Sequence, residues 1–595
     1  LTTLASQEEA AAVDKDGALR SQSNPGSVSH AAALQSWGWS SAPDSAAAKI
    51  AALAALSQLP EPEPVGSVGY VSHGNLLVIG GDARARAAAE ALGASLSVTL
   101  LDSGAAGAAG KHAVWHGKLV SLEGWLGKFV ARIEALVVAD PGPGKAGLEA
   151  PAQGTDADFD LVLDFGDQVR FAMHQPPQGY YRAPQDEAEL SVVLEELRSL
   201  VGEFEKPKFF SYREDICAHS RSEIIGCNRC VVVCSTMAIR PAGDKVAVEP
   251  HLCMGCGACA TVCPSGAMSF RYPKPSDRGA QLKLLLSTYL GAGGKDACVL
   301  FHNGADGREL LAAAALAGEG LPARVIPIEA WHVASIGQDL LLAAIAYGAS
   351  QVAVLGAGSE APQYAAALKE QMATAQAILT ALGYSGSHFK WIPARDAATV
   401  ASAFAAWPAA AGVAKPATFA LSDDKRTAIE FSVEHLARLA PTPQVEIPLP
   451  AGAAYGDVQV DRVKCTLCLA CAGACPESAL MDGGEVPMLR FLERNCVQCG
   501  LCEKTCPEDA ITLKPRLLLT PAVREARVLN EDQPFNCLMC GKPFATRNII
   551  ERMTGRLAGH SMFAGTGALK RLQMCADCRI VDMMANPDEA SVLKR

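Results

Sequence analysis

Two hydrophobic rhythms alternate along this chain. Short apolar runs, Leu76–Ile79 and Leu96–Leu101, read as buried strands, and Ala83–Leu92 between them spaces its apolar residues as a helix does. Further strands are predicted at Ala135–Val138 and Asp160–Phe165. The alternation returns later: strand Ala297–Phe301, helix Arg308–Ala317, strand Ala323–Ile328, helix Gly337–Tyr347, strand Gln351–Leu355, helix Ala361–Leu382 and strand Phe389–Ile392. Strands alternating with helices of this length predict a parallel sheet covered by helices, once in each half of the chain. Ala46–Leu59 predicts one more helix, stopped by Pro60, Pro62 and Pro64. Arg271–Arg278 reads as a linker, and residues 441–460 as a Pro-rich extended stretch.

Two stretches need a closer look. Leu340–Ser359 carries no charge over 20 residues, long enough for a membrane span. Gly348, Ser350 and Gln351 interrupt it, so it reads as a helix followed by a buried strand, and no integral membrane segment is expected. The turn after Leu76–Ile79 is Gly80-Gly81-Asp82-Ala83-Arg84-Ala85. A dinucleotide fingerprint has Gly-x-Gly-x-x-Gly at this point, because the pyrophosphate lies against bare backbone at a helix N-terminus. Here Asp82 takes the place of the second glycine, and its carboxylate would repel a pyrophosphate; it reads better as a helix N-cap. Asp102 stands where a ribose-binding acid would. The expectation is a structural Rossmann-like domain without nucleotide, a divergent site being the alternative. His302 follows a strand, where open α/β sheets place ligands; a loop hydrogen-bonder is the plainer reading.

At 595 residues the chain has room for roughly four domains. A net charge of −11 and a pI near 5.6 argue against a nucleic-acid partner. Cysteine is the outlier: there are 21, and all but Cys298 fall in clustered motifs. The sequence given starts at Leu1 and shows no export signal before them. Many thiols in metal spacings without such a signal predict a reducing, cytoplasmic setting.

The clustering is specific. Cys465-x2-Cys468-x2-Cys471-x3-Cys475-Pro476 is followed, 20 residues on, by Cys496-x2-Cys499-x2-Cys502-x3-Cys506-Pro507. A cubane [4Fe–4S] cluster needs one thiolate per iron; three closely spaced cysteines wrap three corners, and the fourth comes from the other motif. One cluster is therefore assigned to Cys465, Cys468, Cys471 and Cys506, and its neighbour to Cys496, Cys499, Cys502 and Cys475. A zinc or disulfide framework is the competing reading. An earlier array ends in the regular Cys253-x2-Cys256-x2-Cys259-x3-Cys263-Pro264. Its first half, Cys227-x2-Cys230-x3-Cys234, has Ile224 in place of the first cysteine and Ser235 in place of the proline. Cys217, ten residues before Cys227, could fill the vacant corner through a longer loop. That assigns Cys217, Cys227, Cys230 and Cys263 to one cluster and Cys253, Cys256, Cys259 and Cys234 to another; the alternative for the former is a three-iron or absent cluster. Finally, Cys537-x2-Cys540 and Cys575-x2-Cys578 lie 34 residues apart, with Cys540-Gly541-Lys542-Pro543-Phe544 shaped like a zinc-ribbon knuckle. Four thiolates suit one structural zinc, with rubredoxin-like iron or another cluster as alternatives. His560 is a spare candidate ligand or a surface histidine.

Both arrays resemble dicluster bacterial ferredoxins. His332 to Ile392, with Gly337-Gln-Asp-Leu-Leu-Leu and Val352-Ala-Val-Leu-Gly356, is similar to the delta-subunit domain of methyl-viologen-reducing hydrogenases. That domain's own two-iron cluster needs several cysteines, and Cys298 alone implies that none is held here. The whole order resembles the long 4Fe-4S polyferredoxins found with molybdenum- or tungsten-dependent formate dehydrogenases of proteobacteria, which implies a formate dehydrogenase catalytic subunit as redox partner.

The expectation is thus a multidomain α/β plus α+β protein: an Ala-rich segment over 1–66, a degenerate Rossmann-like domain over 67–205, a dicluster ferredoxin-like domain over 206–275, a hydrogenase-delta-like parallel-sheet domain over 280–440, a second dicluster domain over 450–520, and a zinc-ribbon-like segment over 530–595. No nucleophile triad, hydrolase motif or phosphate loop is visible, so a non-catalytic electron-transfer subunit is expected. The rivals are a nucleotide- or flavin-linked oxidoreductase subunit with the clusters as its internal wire, and a maturation or scaffold protein for a molybdoenzyme.

Overall fold

The computed structural model describes residues 11–13, 19–21, 43–102, 112–140, 155–317, 320–484, 486–560, 563 and 566–585. Much of the segment expected over 1–66, and the last residues of the C-terminal segment, lie outside that set. Helix α1 (Pro43–Leu56) comes first. A seven-stranded sheet follows, built from β1 (Asn75–Ile79), β2 (Ser97–Asp102), β3 (Ala113–Glu123), β4 (Phe129–Asp140), β5 (Thr155–Phe159), β6 (Leu161–Asp164) and β7 (Tyr180–Arg182), with helix α2 (Ala83–Leu92) between β1 and β2. The spatial order is β7-β6-β1-β2-β3-β4-β5.

Strands β7, β6, β1, β2 and β3 are parallel, but β3, β4 and β5 pair antiparallel. The sequence reason lies in β1, whose side chains alternate within one apolar run. Leu76 and Val78 face Ala85, Ala88, Ala89 and Leu92 of α2. Leu77 and Ile79 face Phe129, Ala131 and Ile133 of the long β4. A hairpin thus covers the face where a helix was expected, and the predicted strand Ala135–Val138 lies in the second half of that hairpin's second arm.

Between residues 206 and 275 lie the first cysteine array's elements: a two-residue hairpin of β8 (Ser220–Arg221) and β9 (Ile224–Ile225), then short helices α3 (Arg229–Val233) and α4 (Ala258–Val262). Helix α5 (Pro275–Gly291) starts inside the stretch read as a linker. Pro275 is in its first turn, where a missing N–H costs nothing, so the helix begins within a Pro-rich segment.

The central sheet is all-parallel: β10 (Cys298–Asn303), β11 (Val325–Ala330), β12 (Gln351–Gly356) and β13 (Phe389–Pro393), in the order β11-β10-β12-β13. Helix α6 (Gln338–Ala346) is buried at every position, Gly348 turns the chain at φ 109°, and β12 is again buried throughout. That is the helix-to-strand switch read from Leu340–Ser359, and among the described residues no helix is long and apolar enough to cross a membrane. Helix α7 (Pro362–Ala381) covers the sheet, and α8 (Lys425–Arg438) packs on α6. The Ala-rich α1 belongs to this core: Ala52 and Leu53 are fully buried in one cluster with Leu282, Leu285 and Leu286 of α5. Burying a leucine such as Leu53 contributes about 2 kcal/mol.

The second cysteine array carries short helices α9 (Ala470–Ala474) and α10 (Leu501–Thr505). Its small sheet runs on past residue 520, because Arg527–Glu531 pairs with Met488–Phe491.

Candidate metal centres

Three of the four cysteine loops share one backbone. The residues on either side of the middle cysteine are left-handed: Gly255 and Gly257 (φ 74° and 76°), Leu467 and Leu469 (57° and 60°), Gln498 and Gly500 (52° and 82°). Each left-handed leucine or glutamine costs about 1–2 kcal/mol relative to ordinary backbone. The turns aim all three thiols inward. Each loop then enters a five-residue helix that ends on a cysteine in extended conformation: Cys263 after α4, Cys475 after α9, Cys506 after α10. The following prolines favour this, since proline disfavours helical backbone at the residue before it, although Cys234, followed by Ser235, is extended as well. The freed sulfurs then accept backbone hydrogen bonds, from Met268 to Cys263 (3.4 Å), Ala479 to Cys475 (3.3 Å) and Ala510 to Cys506 (3.3 Å).

The irregular loop solves the same problem differently. Ile224 lies in β9, paired with Arg221, so the stretch that lost its cysteine has become a strand. Ser222 and Glu223 make the turn, both at positive φ. The hairpin zips onward: Gly226 donates to His219 O (2.8 Å) and Cys227 to Ala218 O (2.9 Å). This registry carries Cys217 back beside Cys227, buried with Cys230 and Cys263 in one apolar cluster.

Four of the buried thiols each lie close enough to feel other cysteines of the set predicted for them. Cys230 is pushed up to about 12 by burial and then by Cys263, Cys227 and Cys217. Burial also raises Cys256 to about 12, with Cys253 and Cys234 adding to it. Cys471 rises to about 12 through burial and through Cys465, Cys468 and Cys506. Cys502 is raised by burial and by Cys496, Cys499 and Cys475. Each set joins three cysteines of one loop to the last of the other. Four thiols held in apolar surroundings resist ionising together, and a cationic centre removes that conflict. This donor set fits an iron–sulfur cluster, whose thiolates each bind a different iron.

Neighbouring sets also act on one another. Cys259 feels Cys230, Cys499 feels Cys227, and Cys502 feels Cys471. The middle link crosses between the two arrays. There α10 packs on the β8–β9 hairpin, with Lys504 Nζ donating to Ile225 O at 2.6 Å, and any side chain at Gly226 would run into Leu501.

The C-terminal four cysteines are spaced differently. The sulfurs of Cys537, Cys540, Cys575 and Cys578 all lie within 4.8 Å of one another, and Cys540 and Cys575 are 3.7 Å apart. A single tetrahedral ion with metal–sulfur bonds of about 2.3 Å separates its sulfurs by about 3.8 Å. Among the described residues no other cysteine set is this tight, as a cluster of several irons requires. Burial opposes ionisation of Cys537, but backbone N–H groups of Cys540, Cys575 and Met539 bring it down to about 6. Cys578, facing the other three thiols, rises to about 12. His560 is not part of this set; its ring lies 6.3 Å from Phe563.

Comparison with known families matches residues 225–267 and again residues 464–511 to the 4Fe-4S dicluster domain. The chain carries two 4Fe-4S dicluster domains. They hold up to four clusters and make it an iron–sulfur electron-transfer protein. Hydrogenase-4 component A of Escherichia coli (strain K12) is 40% identical over 52 residues, which is 9% of this chain and 25% of that protein. The chain therefore spans a quarter of that relative's length.

The remaining sequence candidates sit in structural roles. Asp82 caps α2, accepting from Ala85 N at 2.7 Å. Asp82→Ala should cost about 1 kcal/mol in urea unfolding and leave the iron content unchanged. The Asp102 carboxylate is buried, holds Arg86 at 2.8 Å and leaves no room for a side chain at Gly81. His302 lies within β10, fully buried, its Nδ1 2.8 Å from Asn303 O. Cys298 is buried in the same strand and pushed up to about 12 by that burial, so it is inert. Sequence reasoning missed Lys425 and Arg426, which reach both dicluster domains; a basic pair at a helix start carries no signal of such reach.

Proposed function

We propose that this chain is a non-catalytic, cytoplasmic electron-transfer subunit holding four [4Fe–4S] clusters and one structural zinc. The clusters are assigned to Cys217/Cys227/Cys230/Cys263, Cys234/Cys253/Cys256/Cys259, Cys465/Cys468/Cys471/Cys506 and Cys475/Cys496/Cys499/Cys502, and the zinc to Cys537/Cys540/Cys575/Cys578. The shared geometry of three cysteine loops, with left-handed residues flanking each middle cysteine, and the hairpin that returns Cys217 beside Cys227 carry this reading. Such clusters, when bound, supply one-electron transfer. The protein's part is to bury them, to fix their separations and to donate N–H groups to the ligand sulfurs.

The partner proposed is a molybdenum or tungsten formate dehydrogenase, from the resemblance of the domain order. The parallel order β11-β10-β12-β13 suits the hydrogenase-delta-like reading of the central domain. The likeness to hydrogenase-4 component A supports a place in a multi-subunit oxidoreductase. The carboxylate of Asp82, which caps α2 where a dinucleotide fingerprint has its second glycine, counts against a nucleotide as direct donor.

Anaerobic protein mixed with formate and such a dehydrogenase should lose its visible cluster absorbance, while NADH or NADPH alone leaves it intact. Rapid bleaching by either nucleotide would overturn the reading. Bleaching by another low-potential protein but not by formate dehydrogenase would retain the conduit and remove this partner.

A further inference from the structure

Two adjacent side chains at the start of α8 touch both dicluster domains. Asp424 caps the helix, accepting from Thr427 N at 2.9 Å, and pairs with Arg213 of the first domain at 3.2 Å. Lys425 Nζ donates to the carbonyls of Ala260 (3.0 Å), Thr261 (2.5 Å) and Cys263 (3.1 Å). Three carbonyls match the three donors of an ammonium, and the nearby Asp339 carboxylate favours that charge against the cost of burial. They are end-of-helix carbonyls of α4 and the turn after it, which lack partners within the helix. Arg426 reaches mainly the other way, although its guanidinium also donates to Pro264 O of the first domain at 3.5 Å. Its guanidinium donates to Arg494 O (2.6 Å), Cys496 O (3.1 Å) and Ala454 O (3.1 Å), and lies 4.7 Å from the Tyr455 ring centre.

Cys263 and Cys496 belong to the two sets that meet at the Cys227–Cys499 junction. Neighbouring residues of one helix therefore place a positive charge on each side of that junction. We propose that Lys425 and Arg426 are positioning residues that clamp the two dicluster domains together and raise the reduction potentials of the clusters bound by Cys217/Cys227/Cys230/Cys263 and by Cys475/Cys496/Cys499/Cys502, respectively. The proposal rests on those ligand sets. Its physics is simple: reduction adds a negative charge to a buried centre, and a nearby fixed cation stabilises the added charge in a medium of low dielectric constant. The hydrogen bonds do a second job. They are made to backbone of the ligand loops, so they fix the distance between loops rather than between mobile side chains.

The test is an EPR-monitored redox titration of the full chain, with iron measured on the same samples. Lys425→Met keeps the stem and removes the charge. It should keep the wild-type iron content while one midpoint potential moves down and the others stay; Lys425→Arg should restore most of the shift. Arg426→Gln should lower a different midpoint. The double variant should weaken the magnetic interaction between the two reduced inner clusters, seen as narrower signals. Unchanged midpoints in both single variants at full iron content would overturn the proposal. So would a Lys425→Arg shift as large as that of Lys425→Met, because the charge would then be irrelevant. If Lys425→Met loses iron, the Arg426→Gln titration decides alone. A wild-type protein with about half the expected iron would instead overturn the ligand sets, a failure distinct from this one.

Discussion

Cys217→Ser protein, purified without oxygen, should hold about 12 iron per chain where the wild type holds about 16. The expectation follows from the hairpin. Gly226 and Cys227 bond back to His219 and Ala218, so residue 217 is delivered to the corner that Ile224 leaves vacant. A serine hydroxyl there is a weak, protonated oxygen in place of a thiolate, within an apolar cluster formed with Ile239, Val246 and Met268. The other three sets keep all four thiols, and one cluster's low-temperature EPR signal should go while the rest persist. Ile224→Cys in the same background should not restore it, because residue 224 is paired in β9 rather than set on a left-handed loop. Unchanged iron in Cys217→Ser would show that Cys217 is no ligand.

Loss of the C-terminal ion should have the largest effect on stability. Among the described residues after Gln533, the buried side chains are Cys537, Thr546, Ile550, Leu572 and Met574, too few for a core. Structural zinc contributes about 10–16 kcal/mol in comparable small folds, so a zinc bound there would supply most of what holds the segment together. Cys575→Ser should release about one zinc per chain and open residues 534–585 to limited proteolysis. The damage should spread inward. Asn548 donates to Cys465 O (3.4 Å), Thr546 to Thr466 O (3.1 Å) and Arg552 to Lys464 O (2.5 Å), so the segment shields the loop of an outer cluster. That cluster should then lose its iron faster in air. Iron in place of zinc in the native protein, or a segment that stays protected in Cys575→Ser, would remove this account.

The sequence made some features plain because single residues decide them. A proline after a cysteine favours extended backbone, so three of the four loop ends were readable from Cys-Pro; the fourth, at Cys234, is extended without one. The uncharged run Leu340–Ser359 was resolved by Gly348, which the fold uses at positive φ. The return of Cys217 was legible only as a demand for a fourth thiolate; the means, a two-residue hairpin turning at Ser222 and Glu223, had no glycine to announce it. What stayed hidden was long-range. Nothing in Ala52 or Leu53 says that α1 packs on α5. The antiparallel half of the first sheet was invisible because a strand such as Ala135–Val138 does not declare its direction. The junction at Leu501 and Lys504, and the clamp at Lys425 and Arg426, are made by ordinary surface-type residues whose partners lie far along the chain.

The packing of α1 on α5 bears on kinetics as well as on stability. Residues 57–274 leave the central core and return to it, so the first dicluster domain is tied at both ends, while the second follows from the same core's α8. Two separate ferredoxins must find each other by diffusion, and their exchange slows on dilution. Here the two domains already touch through Lys504 and Ile225, and if that contact opened, the tethers would return them at an effective concentration of about millimolar or more. Exchange between the inner clusters should therefore be first order, and its rate the same in dilute and concentrated protein.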